Sequence, residues 1–124
     1  MELMVFGKDN LDNLLAQEPQ RIENLPFGAV KLDREGNVTQ YNAVEEMISG
    51  RDANDVVGKN FFTEVAPCAR GKKFHTEFLK FHRDGHVNTM FDYAFDYKMQ
   101  ETYVRIHMKS AEDGQSCWLF IKRH

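Results

Sequence analysis

The 124-residue chain has only two cysteines and no CxxC pair, so neither a redox dithiol nor a thiolate-rich zinc site has a sequence to rest on. A single bridge between Cys68 and Cys117 is the most it could form, and a domain of this length does not need one; free thiols are expected. No apolar run is long enough to cross a bilayer, and the N-terminus MELMVFGKDN carries acidic and polar residues where an export signal would place a basic start and an apolar run. The expectation is a cytoplasmic protein with no membrane partner. Positive charge is not in excess either: 16 Lys and Arg stand against 19 Asp and Glu, for a net charge of -3. Basic residues scattered among acids give no hold on a polyanion, so nucleic acid is not an expected partner. There is no glycine-rich phosphate loop, no HExxH and no pair of catalytic carboxylates, which leaves turnover chemistry without machinery and an enzyme unexpected.

What is present is an ordinary globular composition, 42% hydrophobic and 28% charged, in a length that suits one domain. Residues 1–25 hold two short candidate helices, Leu11 to Ala16 and Gln20 to Leu25, too short to stand without packing on something; they read as a cap. Residues 26–124 read as the core. GAVKLD and VTQYN are two strands joined at Gly36-Asn37. The stretch from Ala43 to Lys72 has short helical pieces broken at Gly50, Gly58, Pro67 and Gly71, a segment suited to a pocket wall. Phe74, Phe78 and Phe81 fall at i, i+4 and i+7 and predict an amphipathic helix over Phe74 to Arg83, ended by Asp84-Gly85. Asn88 to Tyr97 alternates strictly, with Phe91, Tyr93, Phe95 and Tyr97 on one side and Met90, Asp92, Ala94 and Asp96 on the other. Glu101 to Lys109 and Ser116 to Lys122 give two more strands around the turn AEDGQ. Together these make an α+β domain with one antiparallel sheet.

Cys68 is the candidate reactive group. It follows Pro67, which forces Ala66 into an extended conformation, and precedes Arg70, Lys72 and Lys73, whose charges would favour a thiolate. On residue type alone the favoured reading is an unreactive buried thiol, the commoner fate of a lone cysteine, with a solvated basic face beside it. A thiol enzyme using His75 or His82 as base has no third orienting residue, and His75, His82 and His86 lack the spacing and companions of a metal site. Cys117, beside Trp118 in a strand, reads as a packed thiol.

The succession YNAVEE, SGRD, VGKNFF, VAPC and NTMFDYAFDYKM, in order between about Pro26 and Lys122, resembles the photoactive yellow protein family, blue-light sensors built on the PAS fold. The resemblance implies a central five-stranded antiparallel sheet flanked by short helices, with an N-terminal helical cap. It also implies p-coumaric acid (4-hydroxycinnamic acid) held covalently by Cys68 as a thioester, which needs sulfur because a thiol ionises near neutral pH while remaining a strong nucleophile. Tyr41 and Glu45 would both donate hydrogen bonds to the buried phenolate, from the same side of a helical turn, and Glu45 can do so only if an apolar surrounding keeps it protonated. Glu46 is assigned to solvent. Ser49 supports Tyr41 where the family usually has threonine, and Arg51 resembles the family's gate over the phenolate. Tyr97 and Met99 match the loop covering the chromophore, with Lys98 departing from a commoner neutral residue. Pro67, Phe61, Phe62 and Phe95 would line the pocket. Phe6 and Lys122 match a family contact of the cation–π kind tying cap to sheet.

The implied mechanism is trans-to-cis isomerisation by blue light, proton transfer from Glu45, and partial release of the cap by the stranded carboxylate, read by a downstream signalling protein while the chain itself stays monomeric. The other reading is a PAS module that binds a small molecule or partner without a covalent chromophore, since that fold alone does not specify a ligand. A flavin site is disfavoured, because the asparagine-cysteine-arginine-phenylalanine motif of light-oxygen-voltage domains is missing around Cys68.

Overall fold

The computed structural model describes residues 6, 11–65, 72–97, 100–111 and 114–123. In chain order these form α1 (Leu11–Gln17), a 3-10 helix (Pro19–Asn24), β1 (Gly28–Asp33), β2 (Val38–Tyr41), α2 (Ala43–Ser49), α3 (Ala53–Val56), a π-helical turn (Phe61–Val65), α4 (Lys72–Asp84), β3 (Asn88–Tyr97), β4 (Gln100–Ser110) and β5 (Ser116–Arg123). The five strands make one antiparallel sheet in the order β2-β1-β5-β4-β3. The α+β architecture expected from the sequence is the one observed.

The β1–β2 hairpin turns where expected. Gly36 takes a φ of 89°, a left-handed conformation that a side chain would strain. Asp33 holds the turn, its Oδ1 accepting from the backbone amides of Glu35 and Asn37 at 2.9 Å each. Strand alternation then sends side chains to two cores. On one face Val30, Leu32, Val104, Ile106, Met108, Cys117, Leu119 and Ile121 pack with Tyr41, Val56 and the phenylalanines of α4. On the other face Ala29, Trp118 and Phe120 lie beneath Leu11, Leu15, Leu25 and Phe27. The middle of β5 is therefore buried on both faces, and its sequence CWLFI is apolar without a break.

The predicted α4 periodicity holds: Phe74, Phe78 and Phe81 are all buried, while Leu79 on the opposite face is exposed. The rings of Phe91 and Tyr93 meet Phe74 at 5.4 and 5.3 Å between centroids, so this half of the β3 aromatic stripe belongs to the core. Residues 11–25 do cover the sheet, as a cap would. Phe6 does so differently from expectation: its ring stands edge-on to Phe27 at 5.4 Å, within the apolar cluster, while Lys122 is exposed. An apolar partner was available to the ring, and the lysine stays with water. Among the described residues no helix is long and apolar enough to cross a membrane.

Candidate functional site

The junction of β2 and α2 builds the site. Tyr41 is the last residue of β2, Asn42 caps α2 with an extended backbone, and Glu45 lies in the first helical turn. Tyr41 and Glu45 therefore do not share a helical turn, as their spacing suggested; a strand end and a helix start bring them together. The Asn42 side chain is buried and fully used. Its Oδ1 accepts from Glu45 N at 3.0 Å and Ala29 N at 2.9 Å, while its Nδ2 donates to Ile22 O at 3.0 Å and Phe27 O at 3.1 Å. A second link comes from Glu23, whose Oε1 accepts from Ala43 N at 2.9 Å. The start of α2 is thus tied both to β1 and to the 3-10 helix of the cap.

An asparagine followed three residues later by glutamate is the pattern of a capping box, in which the acid turns back to the cap amide. Here that amide donates to Ala29 O instead, at 3.1 Å, and the glutamate turns into the core. Glu45 is only 1% exposed. Burial pushes its carboxyl up from 4.5 to about 8, against the smaller opposing effect of a hydrogen bond from Tyr41. The start of a helix favours a carboxylate by about 1 kcal/mol, and desolvation of a buried charge costs several times that, so desolvation wins. Glu45 is therefore a neutral acid at pH 7.

Tyr41 is buried beside it. Its hydroxyl shares a 2.5 Å hydrogen bond with Ser49 Oγ and donates a longer one, 3.4 Å, to Glu45 Oε2. Ser49 Oγ in turn accepts from Arg51 N at 3.2 Å. Burial raises the phenol above its ordinary value, and the Glu45 charge adds to this; the Ser49 bond and the Arg51 charge act the other way. Arg51 is half-buried and close enough to act on Tyr41 electrostatically. Phe61 and Phe62 are buried in the π-helical turn, edge to face at 5.2 Å, with Phe74 against both. A π-helical turn inserts an extra residue into a helical path and often occurs at functional sites.

Glu46 is not a solvent acid. Its Oε2 accepts from Ala53 N at 2.6 Å and so holds the start of α3 against α2. Phe95 and Tyr97 lie on β3 as predicted, while Pro67, Cys68, Arg70, Lys98 and Met99 fall outside the described residues. His82 Nδ1 lies 2.7 Å from Arg34 O, and among the described residues no three His, Cys, Asp or Glu side chains group as a metal site. Cys117 is a buried thiol whose ionisation is pushed up by burial, which fits a packing role. Sequence reading missed Asn42 and Glu23. The capping-box spacing in NAVE signals the first; the bond from Glu23 across the cap carries no local signature.

Glu45 Oε1 has no hydrogen-bond partner among the described residues, although it is buried. A neutral acid with nothing among the described residues to donate to fits a pocket built to meet an acceptor brought by a ligand.

Comparison with known proteins shows the family to which the chain belongs. A family model described as PAS fold matches residues 19–123. The photoactive yellow protein of Cereibacter sphaeroides is 62% identical over 123 residues, covering 99% of both chains. The chain belongs to the photoactive yellow protein family. The photoactive yellow protein of Halochromatium salexigens is 47% identical over 124 residues, again at 99% of both chains. Among solved structures, the photoactive yellow protein domain of the sensor histidine kinase Ppr from Rhodospirillum centenum superposes with a TM-score of 0.83 at 33% identity, covering 90% of this chain and 99% of that one. As a photoactive yellow protein family member the chain is a blue-light photoreceptor, sensory and not enzymatic, and the family name implies a chromophore.

Proposed function

We propose that this photoreceptor carries p-coumaric acid as a thioester on Cys68, with the phenol end received by Tyr41 and Glu45. The observation that carries the reading is the buried, neutral Glu45 with an unmatched carboxyl oxygen beside the Tyr41–Ser49 hydroxyl pair. Ser49 would orient Tyr41, Arg51 would screen the phenol end from water, and Pro67, Phe61, Phe95, Tyr97 and Met99 would surround the rest. When bound, the group supplies blue absorption and a double bond that light turns from trans to cis.

In the dark Glu45 holds its proton because water is excluded from its carboxyl. After light that proton would pass to the chromophore's phenolate oxygen, leaving it a neutral phenol, and Glu45 Oε1 and Oε2 would then carry a charge that the surrounding described side chains do not compensate. Turning the carboxylate toward water moves the first turn of α2, whose amides are bound through Asn42 to Ile22 and by Glu23 to Ala43. Both contacts lead into residues 1–25, which on this reading are a cap that loosens over a core of residues 26–124. The loosened cap is what a downstream signalling protein would read. One relative of this fold is itself a domain of a sensor histidine kinase, which supports a signalling output.

Protein produced with an activated p-coumaroyl supply tests the attachment. Intact and peptide mass spectra should show one acyl group on the peptide bearing Cys68, with a yellow product that bleaches reversibly in blue light. A colourless product, or an acyl group that persists in Cys68→Ala, would overturn the proposal.

A further inference from the structure

Glycine 28 opens β1 opposite Ile121 of β5 and faces the first turn of α2. A methyl group there would overlap Glu45 Oε1 and would lie 3.2 Å from Glu45 Cβ and 3.3 Å from Glu45 Cα. Two of these three neighbours are the root of the side chain and the helix backbone, neither of which can swing away. The helix cannot simply retreat. Asn42 binds the backbone on either side of the glycine, Phe27 O and Ala29 N, with the same side chain that caps Glu45 N. The clasp presses α2 onto β1 at the one position of the strand that has no side chain.

We infer that Gly28 is a positioning residue for Glu45: its missing side chain is the space in which the carboxyl's Oε1 rests, and this keeps the acid buried beside Tyr41. The inference rests on the reading of Glu45 as the pocket's neutral acid but not on the identity of any chromophore. Among the described residues the ionisable group acting on the Glu45 carboxyl is Tyr41 from the end of β2, and Arg51 from the segment after α2 acts in turn on Tyr41.

The test uses the full chain prepared without a chromophore supply, so that its failure is separable from failure of the thioester proposal. Infrared difference spectra against pH follow the protonated carboxyl band of Glu45, identified by its loss in Glu45→Gln. In the parent chain that band should disappear near pH 8. In Gly28→Ala the carboxyl should be driven toward water and the midpoint should fall by at least one pH unit, with faster amide exchange at Ala29 and Glu45. The double variant Gly28→Ala/Glu45→Asp withdraws the acid by one methylene, opening room for the new methyl. It should melt closer to the parent than the sum of its single variants. An unchanged Glu45 midpoint in folded Gly28→Ala would overturn the inference. If Gly28→Ala does not fold, the double variant decides. Its recovery of a cooperative melt supports the role, and its failure to fold means that the helix backbone, not the carboxyl, fixes glycine at 28.

Discussion

Replacing Glu45 by glutamine in the chromophore-free chain should flatten the dependence of stability on pH. The folded chain holds the Glu45 proton up to about pH 8, whereas the unfolded carboxyl releases it near 4.5. Between those values the folded state binds the extra proton, so stability is fully present at the acid end and declines as pH rises, by about 1.4 kcal/mol per unit. The loss reaches about 5 kcal/mol by pH 8 and stops there, a large part of the 5–15 kcal/mol that holds a domain of this kind together. Tyr41 does not confuse the window, because burial raises its ionisation above the ordinary phenol value of 10.0. Asp84, held low by Arg83, contributes equally to both chains and cancels. Urea unfolding at half-unit steps from pH 5 to 9, with the slope against denaturant checked for constancy, measures the effect. The difference between parent and Glu45→Gln should fall steadily from pH 5 to 8 and be level above. Parallel curves would mean that Glu45 ionises normally in the folded chain, and the neutral-acid argument would be lost.

Asn42→Ala removes a cap and leaves the Ala29 amide and the Ile22 and Phe27 carbonyls without their partner. It should cost about 2–4 kcal/mol in urea unfolding and speed amide exchange in both α2 and the 3-10 helix. In Ser49→Ala, Tyr41 loses a bond that favours its ionised form, so ultraviolet difference titration should place the Tyr41 phenol still higher than in the parent. Cys117 should resist a thiol reagent at pH 8 in the folded chain and react only at the rate of unfolding, as mass spectra of the labelled peptide would report; rapid labelling would contradict its burial.

What the sequence discloses here follows the range of the interaction. The register of Phe74, Phe78 and Phe81 on α4 and the alternation of Asn88 to Tyr97 are local patterns, and their elements form where the patterns place them. Tyr41 and Glu45 were legible as a pair but not as a geometry. Asn42 between them has φ -87° and ψ 171°, which ends the strand before the helix begins, and side-chain spacing counted along one helix does not pass through such a cap. Glu46 looked like a surface acid because the amide it binds, Ala53 N, belongs to the start of another helix. The crowding over Gly28 is wholly tertiary: nothing near GAVKLD tells of a glutamate packed upon it from a residue beyond the hairpin. Phe6 was expected on Lys122 and sits on Phe27, since an apolar neighbour outcompetes an exposed ammonium for an aromatic ring.

The same numbers bear on how far a signal can travel. If the charge on Glu45 is relieved by carrying the carboxylate to water, the closed arrangement is disfavoured relative to the neutral acid by up to about 5 kcal/mol. The two contacts that stand between the first turn of α2 and the cap, Asn42 to Ile22 and Ala43 to Glu23, are each worth about 1 kcal/mol as net hydrogen bonds. They cannot hold α2 in place against that shift. What opposes it next is apolar: Leu11, Leu15 and Leu25 against Phe27, Trp118 and Phe120 on the far face of the sheet. The core that includes α4 and β3 shares neither contact, so the disturbance has a directed exit through β1 and the 3-10 helix into residues 11–25. On the proposed reading, a photoreceptor arranged in this way would convert loss of one proton into a change in cap population while most of the domain remains folded.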